Sequence, residues 1–332
     1  MAAPGLVHRG VSYDDPEVLG AALVPELTRA ARSGDAVTVA LDPRTAAVVR
    51  DGLGEEALAG TEFLDHARPA RSDAFQLAAR RATAAAAAAR VGTRSFIVTQ
   101  YQPQLGLPDA YWLRLEAALD EALRGLPVTL LCAYRAVLRA AVTNGDGPVP
   151  EVPPALLATH PELAVVPELE RPSPNPAHRD PVDVVRGLPS ATVPPAPPGA
   201  RRWAFAAEDL GALRHELTVA VAATGLEAEA GEDLVYAASE VATNAVEHGG
   251  GHGLLWAWVA DGEAVCLVAD AGRIHEAFPG VVPPPLDQDR GRGLWLARAL
   301  CDDVDVAVDD AGTRVRLARR LVRSEPATRQ IT

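Results

Sequence analysis

Ser239-Glu240-Val241-Ala242-Thr243-Asn244-Ala245-Val246-Glu247-His248-Gly249 is the stretch on which the reading of this chain turns. Glu240, Asn244 and His248 recur at i, i+4 and i+8, so they share one face of a helix expected over 231–248. Leu234, Ala238, Val241 and Ala245 fall on a separate, apolar face. Asn is a poor helix-interior residue, and the chain uses only three. A carboxylate and an amide oxygen one turn apart are hard donors, suited to Mg²⁺ or to a water beside it. Taken alone, the same pattern also describes the solvated face of an amphipathic helix.

The segments downstream narrow the choice. Val268-Ala269-Asp270-Ala271-Gly272 places an Asp at a strand end before a glycine turn, where a carboxylate can accept from an adenine amino group. Gly291-Arg292-Gly293-Leu294-Trp295-Leu296-Ala297 puts glycines at a helix start, where backbone N–H groups can approach phosphate. Each has an ordinary reading as a turn; their order is what carries information. Around them, a helix is expected over 208–223 and strands over 254–259 and 264–269, joined by a hairpin at Asp261-Gly262. A proline-rich loop runs to Arg290, a helix covers 294–301, and strands at 304–308 and 313–318 turn through 309–312. This half is expected to be an α+β sandwich, with helices on one face of a mixed sheet.

The 332-residue length suggests about two domains. Nearly half the residues are apolar, enough for a core in each. The net charge of −13 argues against direct nucleic-acid binding or a polybasic membrane anchor. All 31 basic residues are Arg. Without Lys there is no P-loop, no Schiff-base chemistry and no eukaryotic-type kinase lysine. Cys132, Cys266 and Cys301 lie far apart in sequence, and no signal-peptide pattern or membrane-length apolar run is present, so a cytoplasmic protein is expected. Cys266 and Cys301 read as core residues.

Fifteen of the 28 prolines fall between Pro148 and Pro198. The division expected is a first domain over 1–166, a semi-stiff extended linker over 167–200, a second domain over 201–322 and a tail over 323–332. In the first domain, strands at 36–41, 62–66, 95–100 and 128–134 alternate with helices at 43–50, 73–90 (capped by Ser72 or Asp73) and 109–124. That order implies an α/β fold with a mainly parallel sheet. Ligand sites in such sheets lie at the carboxyl ends of strands, here near Asp42, Gln100 to Gln102 and Tyr134-Arg135.

The four segments of the second half together resemble the GHKL-type ATP-binding domain, in the compact form of RsbW-type anti-sigma-factor serine kinases. SEVATNAVEHG is similar to the family's N box, DAG to its first glycine box, GRGLWLARAL to its second and GTRVRL to its closing strand. The resemblance implies ATP and Mg²⁺ as cofactors. It implies that Asn244 holds Mg²⁺, that Glu240 is the general base or orients the attacking group, and that Asp270 reads adenine with Thr313 through water. Gly272, Gly291, Gly293 and Leu294 complete the implied nucleotide site. Two departures are visible. Ile274 stands where the first box carries a second glycine, and the lid, residues 273–290, holds Pro279, Pro283, Pro284 and Pro285 in place of a glycine-rich hinge. Nucleotide binding therefore follows more directly than phosphoryl transfer. Arg214-His215-Glu216-Leu217 imitates the phosphoacceptor box of histidine kinases, but His215 precedes Asn244 by too little chain and reads as a surface residue.

Residues 5–165 resemble the MEDS sensory domain, on His8 with Tyr13-Asp14-Asp15, AVTVALDP, Glu116 in a helix, and LLCAYRA. That family is thought to sense small molecules, which makes His8, Glu116, Cys132 and Tyr134 candidate pocket residues. Together the resemblances imply a stress or developmental regulator that binds a sigma factor or an anti-anti-sigma factor and phosphorylates a Ser or Thr of the partner. By analogy with family kinases it would be a homodimer. The alternatives are a non-catalytic nucleotide- or protein-binding scaffold and a histidine-kinase-like signalling protein.

Overall fold

The computed structural model describes residues 5–64, 73–135, 154–284 and 291–321. The end of the strand expected to reach His66, the cap alternative Ser72, Pro285 and the 323–332 tail lie outside them. The chain forms two compact units, the first running to Pro189 and including Val281–Pro283, the second made of the rest from Ser190 on.

In the first unit, β1 (Val7–Tyr13), β2 (Ala36–Ala40), β3 (Thr61–Phe63), β4 (Ser95–Gln100), β5 (Val128–Arg135), β6 (Glu162–Val165) and β7 (Ser173–Pro174) make one sheet in the order β3-β2-β4-β5-β1-β6-β7. Every pairing is parallel except the last, β6 with β7. Helices α1 (Pro16–Arg32), α2 (Pro43–Gly52) and α3 (Glu55–Ala59) cover one face, where Leu19, Leu23, Leu27 and Val49 pack on Val11, Val37, Val39 and Leu131. Helices α4 (Ala74–Arg90) and α5 (Asp109–Leu123) pack against each other; Ala78, Ala79, Ala82 and Ala85 are buried along α4, and their small side chains let helices come close.

One sequence device recurs at helix starts. Asp15-Pro16, Asp42-Pro43 and Asp180-Pro181 each place an Asp at the N-cap, whose carboxylate accepts from backbone N–H groups of the first turn, and a Pro at the position that needs no donor. The last of these opens α7 (Pro181–Arg186), inside the stretch expected to be a linker. It packs on α5 and on α6 (Pro154–Thr159), and β7 extends the sheet, so much of that stretch is folded into the first unit. Pro181 starts a helix and Pro174 lies on the edge strand, while residues 189–197 form neither helix nor strand.

The second unit has a five-stranded sheet, β11 (Asp303–Asp309), β12 (Gly312–Arg320), β10 (Glu263–Asp270), β9 (His252–Ala260) and β8 (Arg201–Ala206), in that order. Its pairings are antiparallel throughout, where a mixed sheet was expected: β9–β10 and β11–β12 are hairpins, β12 runs back along β10, and β8 runs back along β9 at the edge. The hairpin at Asp261-Gly262 has positive φ at both residues (52° and 77°), the twist that tight hairpins need. Helices α8 (Leu210–Ala222), α9 (Ala228–His248) and α10 (Gly293–Leu300) cover one face; Leu217, Leu234, Val241 and Ala297 pack on Leu255, Cys266, Val268 and Leu317. Cys266 and Cys301 belong to this core, and burial pushes the Cys266 thiol up to about 12. On the other face, Val193 and Ala196 lie against Leu267, Ala307, Trp256 and Trp258, so the end of the expected linker is also packed.

Arg298 of α10 is 1% exposed. Its Nε donates to the carbonyl of Pro279 at 3.0 Å and its Nη1 to that of Val304 at 2.9 Å, tying the loop after β10 and the start of β11 to one helix. Arg298→Leu leaves both carbonyls without their donor and should destabilise the protein by about 2–5 kcal/mol, read by urea denaturation. A loss under about 0.5 kcal/mol, the range of ordinary surface substitutions, would show the tie to be dispensable.

Candidate functional site

The second unit contains a cavity of about 390 Å³ lined by Asn244, Asp270, Gly272, Gly291, Leu294 and Thr313 among others. Four segments far apart in sequence supply these groups. Helix α9 carries Asn244, the end of β10 carries Asp270, the start of α10 brings Leu294, and β12 brings Thr313, which stands opposite Asp270 in the strand register.

The backbone is fitted closely around Asp270. Gly272 N–H donates to Asp270 Oδ1 at 2.7 Å, and the Thr313 hydroxyl donates to the Gly272 carbonyl at 2.8 Å. A Cβ on Gly272 would fall 2.6 Å from the Cα of Gly249, so that turn closes only with glycine. A Cβ on Gly293 would fall 2.6 Å from Asn244 Nδ2, which lets the start of α10 pass directly beneath the amide. Burial raises the Asp270 carboxyl above its ordinary range, and the Gly272 N–H partly offsets this.

These residues suit a nucleotide. One carboxylate oxygen of Asp270 is fixed by its own turn, and the carboxylate lines a largely apolar cavity with Val241, Ile274 and Val315, as recognition of a flat heterocycle with an exocyclic amine requires. Asn244 offers a hard oxygen to Mg²⁺, and Arg273 and His275 also line the cavity. Glu240 is half-buried one turn before Asn244 and is not among the cavity-lining residues. Ile274, the departure from the glycine pattern, forms part of the wall. His215 is exposed on α8 and does not line the cavity.

The first unit holds a second polar centre, fully enclosed. His8 of β1, Glu116 of α5, Cys132 and Tyr134 of β5 come together there, with two residues that sequence reading did not single out, Asp120 and His160. Tyr134 donates to Glu116 Oε1 at 2.8 Å, and Cys132 to Glu116 Oε2 at 3.0 Å. His8 Nδ1 meets Asp120 Oδ1 at 3.1 Å. Burial works against a charged His8, but Asp120 and Glu116 outweigh it and hold its pKa up to about 9. Burial opposes ionisation of Glu116 too, yet His160 and His8 keep it well below the usual carboxylate range. Burial and the neighbouring Glu116 push the Cys132 and Tyr134 protons on more firmly. Asp120 could have been suggested by its place one turn after Glu116. His160 gave no signal, since it lies in a proline-rich segment without periodicity.

At the carboxyl edge of the same sheet, Gln100 Nε2 donates to Tyr13 Oη and to Asp42 Oδ2, both at 2.6 Å, and the Asp42 N–H returns a bond to Gln100 Oε1. Asp42 and Gln100 thus meet, and Tyr134 turns instead into the enclosed centre.

Among the described residues no helix is long and apolar enough to cross a membrane. A comparison with curated proteins finds no match. Among solved structures, the chain is similar to the RsbU and RsbW domains of Rv1364c from Mycobacterium tuberculosis, with 24% identity and a TM-score of 0.28 over 36% of this chain and 32% of that one. The chain therefore spans about a third of that protein's length. Residues 204–319 match the family model of the histidine kinase-like ATPase domain, and residues 7–144 match that of MEDS, the methanogen/methylotroph DcmR sensory domain. The chain carries a MEDS sensory domain followed by a histidine kinase-like ATPase domain.

Proposed function

We propose that the second domain binds ATP with Mg²⁺ in the cavity around Asp270, and that the chain is an anti-sigma-type regulator acting on a sigma factor or an anti-anti-sigma partner. The observation that carries the nucleotide reading is the meeting of Asp270, Gly272, Asn244 and Thr313 at one cavity inside the matched ATPase domain. In this reading Asp270 accepts from the adenine amino group, with Thr313 beside it. Asn244 holds Mg²⁺, and the start of α10 turns its backbone N–H groups toward phosphate. Bound ATP with Mg²⁺ supplies the transferable phosphoryl group. Glu240 would act from its place one turn before Asn244 as base or orienting group for a Ser or Thr of the partner. The first domain sets the activity by binding a ligand, which requires that the ligand prefer one of two states of the protein.

Two further readings are separated by where phosphate goes. A scaffold that keeps the nucleotide site without chemistry leaves partners unlabelled. A histidine-kinase-like protein passes phosphate to an Asp of a response regulator. Incubation with radiolabelled ATP and purified anti-anti-sigma proteins from the same organism should place acid-stable label on Ser or Thr. Label on Asp, or none, would overturn the serine kinase reading.

Calorimetric titration tests the site itself. ATP should bind with Mg²⁺ present, and Asp270→Asn should weaken it by about 10- to 100-fold, through loss of a charge-assisted acceptor worth roughly 1.5–3 kcal/mol. Asn244→Ala should abolish the Mg²⁺ dependence while part of the adenine affinity survives. Absence of binding at millimolar ATP would remove the nucleotide reading.

A further inference from the structure

The enclosed centre of the first domain contains more ligating atoms than an ion pair uses. His8 Nε2, His160 Nε2, Cys132 Sγ and Glu116 Oε2 face one another, all four residues are buried, and their ligating atoms lie within 4.8 Å of one another. We propose that these four residues bind one divalent transition-metal ion of the Zn²⁺ class.

The separations fit such an ion. Ligands about 2.0–2.3 Å from a tetrahedral centre stand about 3.3–3.7 Å apart. His8 to Glu116 is 3.4 Å, His160 to Glu116 is 3.6 Å and His8 to Cys132 is 3.5 Å; Cys132 to Glu116, at 3.0 Å, is shorter, and all four atoms lie within 4.8 Å of one another, so an ion would draw them in by a few tenths of an ångström to about one ångström. Each imidazole has a partner behind it, and for His8 it is the carboxylate that metal-binding imidazoles commonly use. His8 has Asp120 on Nδ1, His160 has the Thr159 hydroxyl on Nδ1 at 3.0 Å, and both therefore present Nε2 to the same space. Tyr134 occupies Glu116 Oε1 and leaves Oε2 for the ion.

Chemistry selects the class. Two imidazoles, a thiol and one carboxylate favour Zn²⁺ and its neighbours over Mg²⁺ or Ca²⁺, which take oxygen donors. A salt bridge of His8 with Asp120 and Glu116 would account for those three residues. The Cys132 thiol and the His160 imidazole converge on the same carboxylate oxygen, Glu116 Oε2, from two further directions. With four protein ligands and no open position, the site is of the structural rather than the catalytic kind. The proposal is independent of the nucleotide site, whose donors lie in the other domain.

The test uses the full-length protein, stripped with a chelator and then given ZnCl₂ or CoCl₂ alone. It should take up about one equivalent of either ion per chain, and Co²⁺ should show the intense ligand-field absorption of a tetrahedral site with a thiolate-to-cobalt band. Cys132→Ser should remove the thiolate band. Asp120→Asn, which touches no ion, should weaken binding by about 10- to 100-fold while keeping the band. Asp270→Asn should leave uptake unchanged. A wild-type protein that takes up no ion, or gives an octahedral Co²⁺ spectrum, overturns the proposal whether or not the Cys132 variant folds. A thiolate band that persists in folded Cys132→Ser overturns it as well.

Discussion

Asp270 is the residue around which the second domain is closed. Its main-chain carbonyl, its carboxylate and the turn after it are each crowded by a glycine: Gly312 by the carbonyl, Gly249 and Gly272 by the carboxylate. Three separate segments, the end of α9, the turn after β10 and the start of β12, therefore meet at one side chain. A carboxylate in that position would be costly to bury without donors. The Gly272 N–H supplies one, and the cavity side is left open to a ligand that supplies another. The constraint that builds the turn is thus also the one that leaves an acceptor aimed at the cavity.

Legibility from sequence followed the strength of local signals. The helix carrying Asn244 and the hairpin at Asp261-Gly262 were plain, because a 3.6-residue period and a two-residue turn with positive φ each have few alternatives. The strands β4 and β5 were equally plain as short apolar runs. What sequence could not carry was pairing. Nothing local says that Thr313 stands opposite Asp270, that β8 pairs antiparallel with β9 at the sheet edge, or that Arg298 reaches two carbonyls. Proline density also misled, since Pro181 and Pro174 sit at a helix start and on an edge strand, positions where a missing N–H costs little. His160 was hidden for the same reason: its neighbours show no period, and only the fold brings it to Glu116.

The two domains handle buried polar groups in opposite ways. In the second, an amide, a carboxylate, a hydroxyl and backbone groups stand beside open space, with the imidazoles of His248 and His275 and the Arg273 guanidinium also on the wall. In the first, two imidazoles, a thiol, a phenol and two carboxylates are shut away from water. The first arrangement suits ligands that exchange, such as a nucleotide with a hydrated cation. The second suits something held for the life of the fold, because every group there must be satisfied internally or by an ion.

That difference bears on how a sensory domain could act on an ATPase domain. Coupling of about 1–3 kcal/mol is enough to change an affinity several-fold to over a hundredfold. Structural Zn²⁺ binding to zinc-finger peptides is worth about 10–16 kcal/mol. An ion bound by β1, β5, α5 and the segment at His160 would fix four elements to one another, a standing constraint on the domain rather than a graded input.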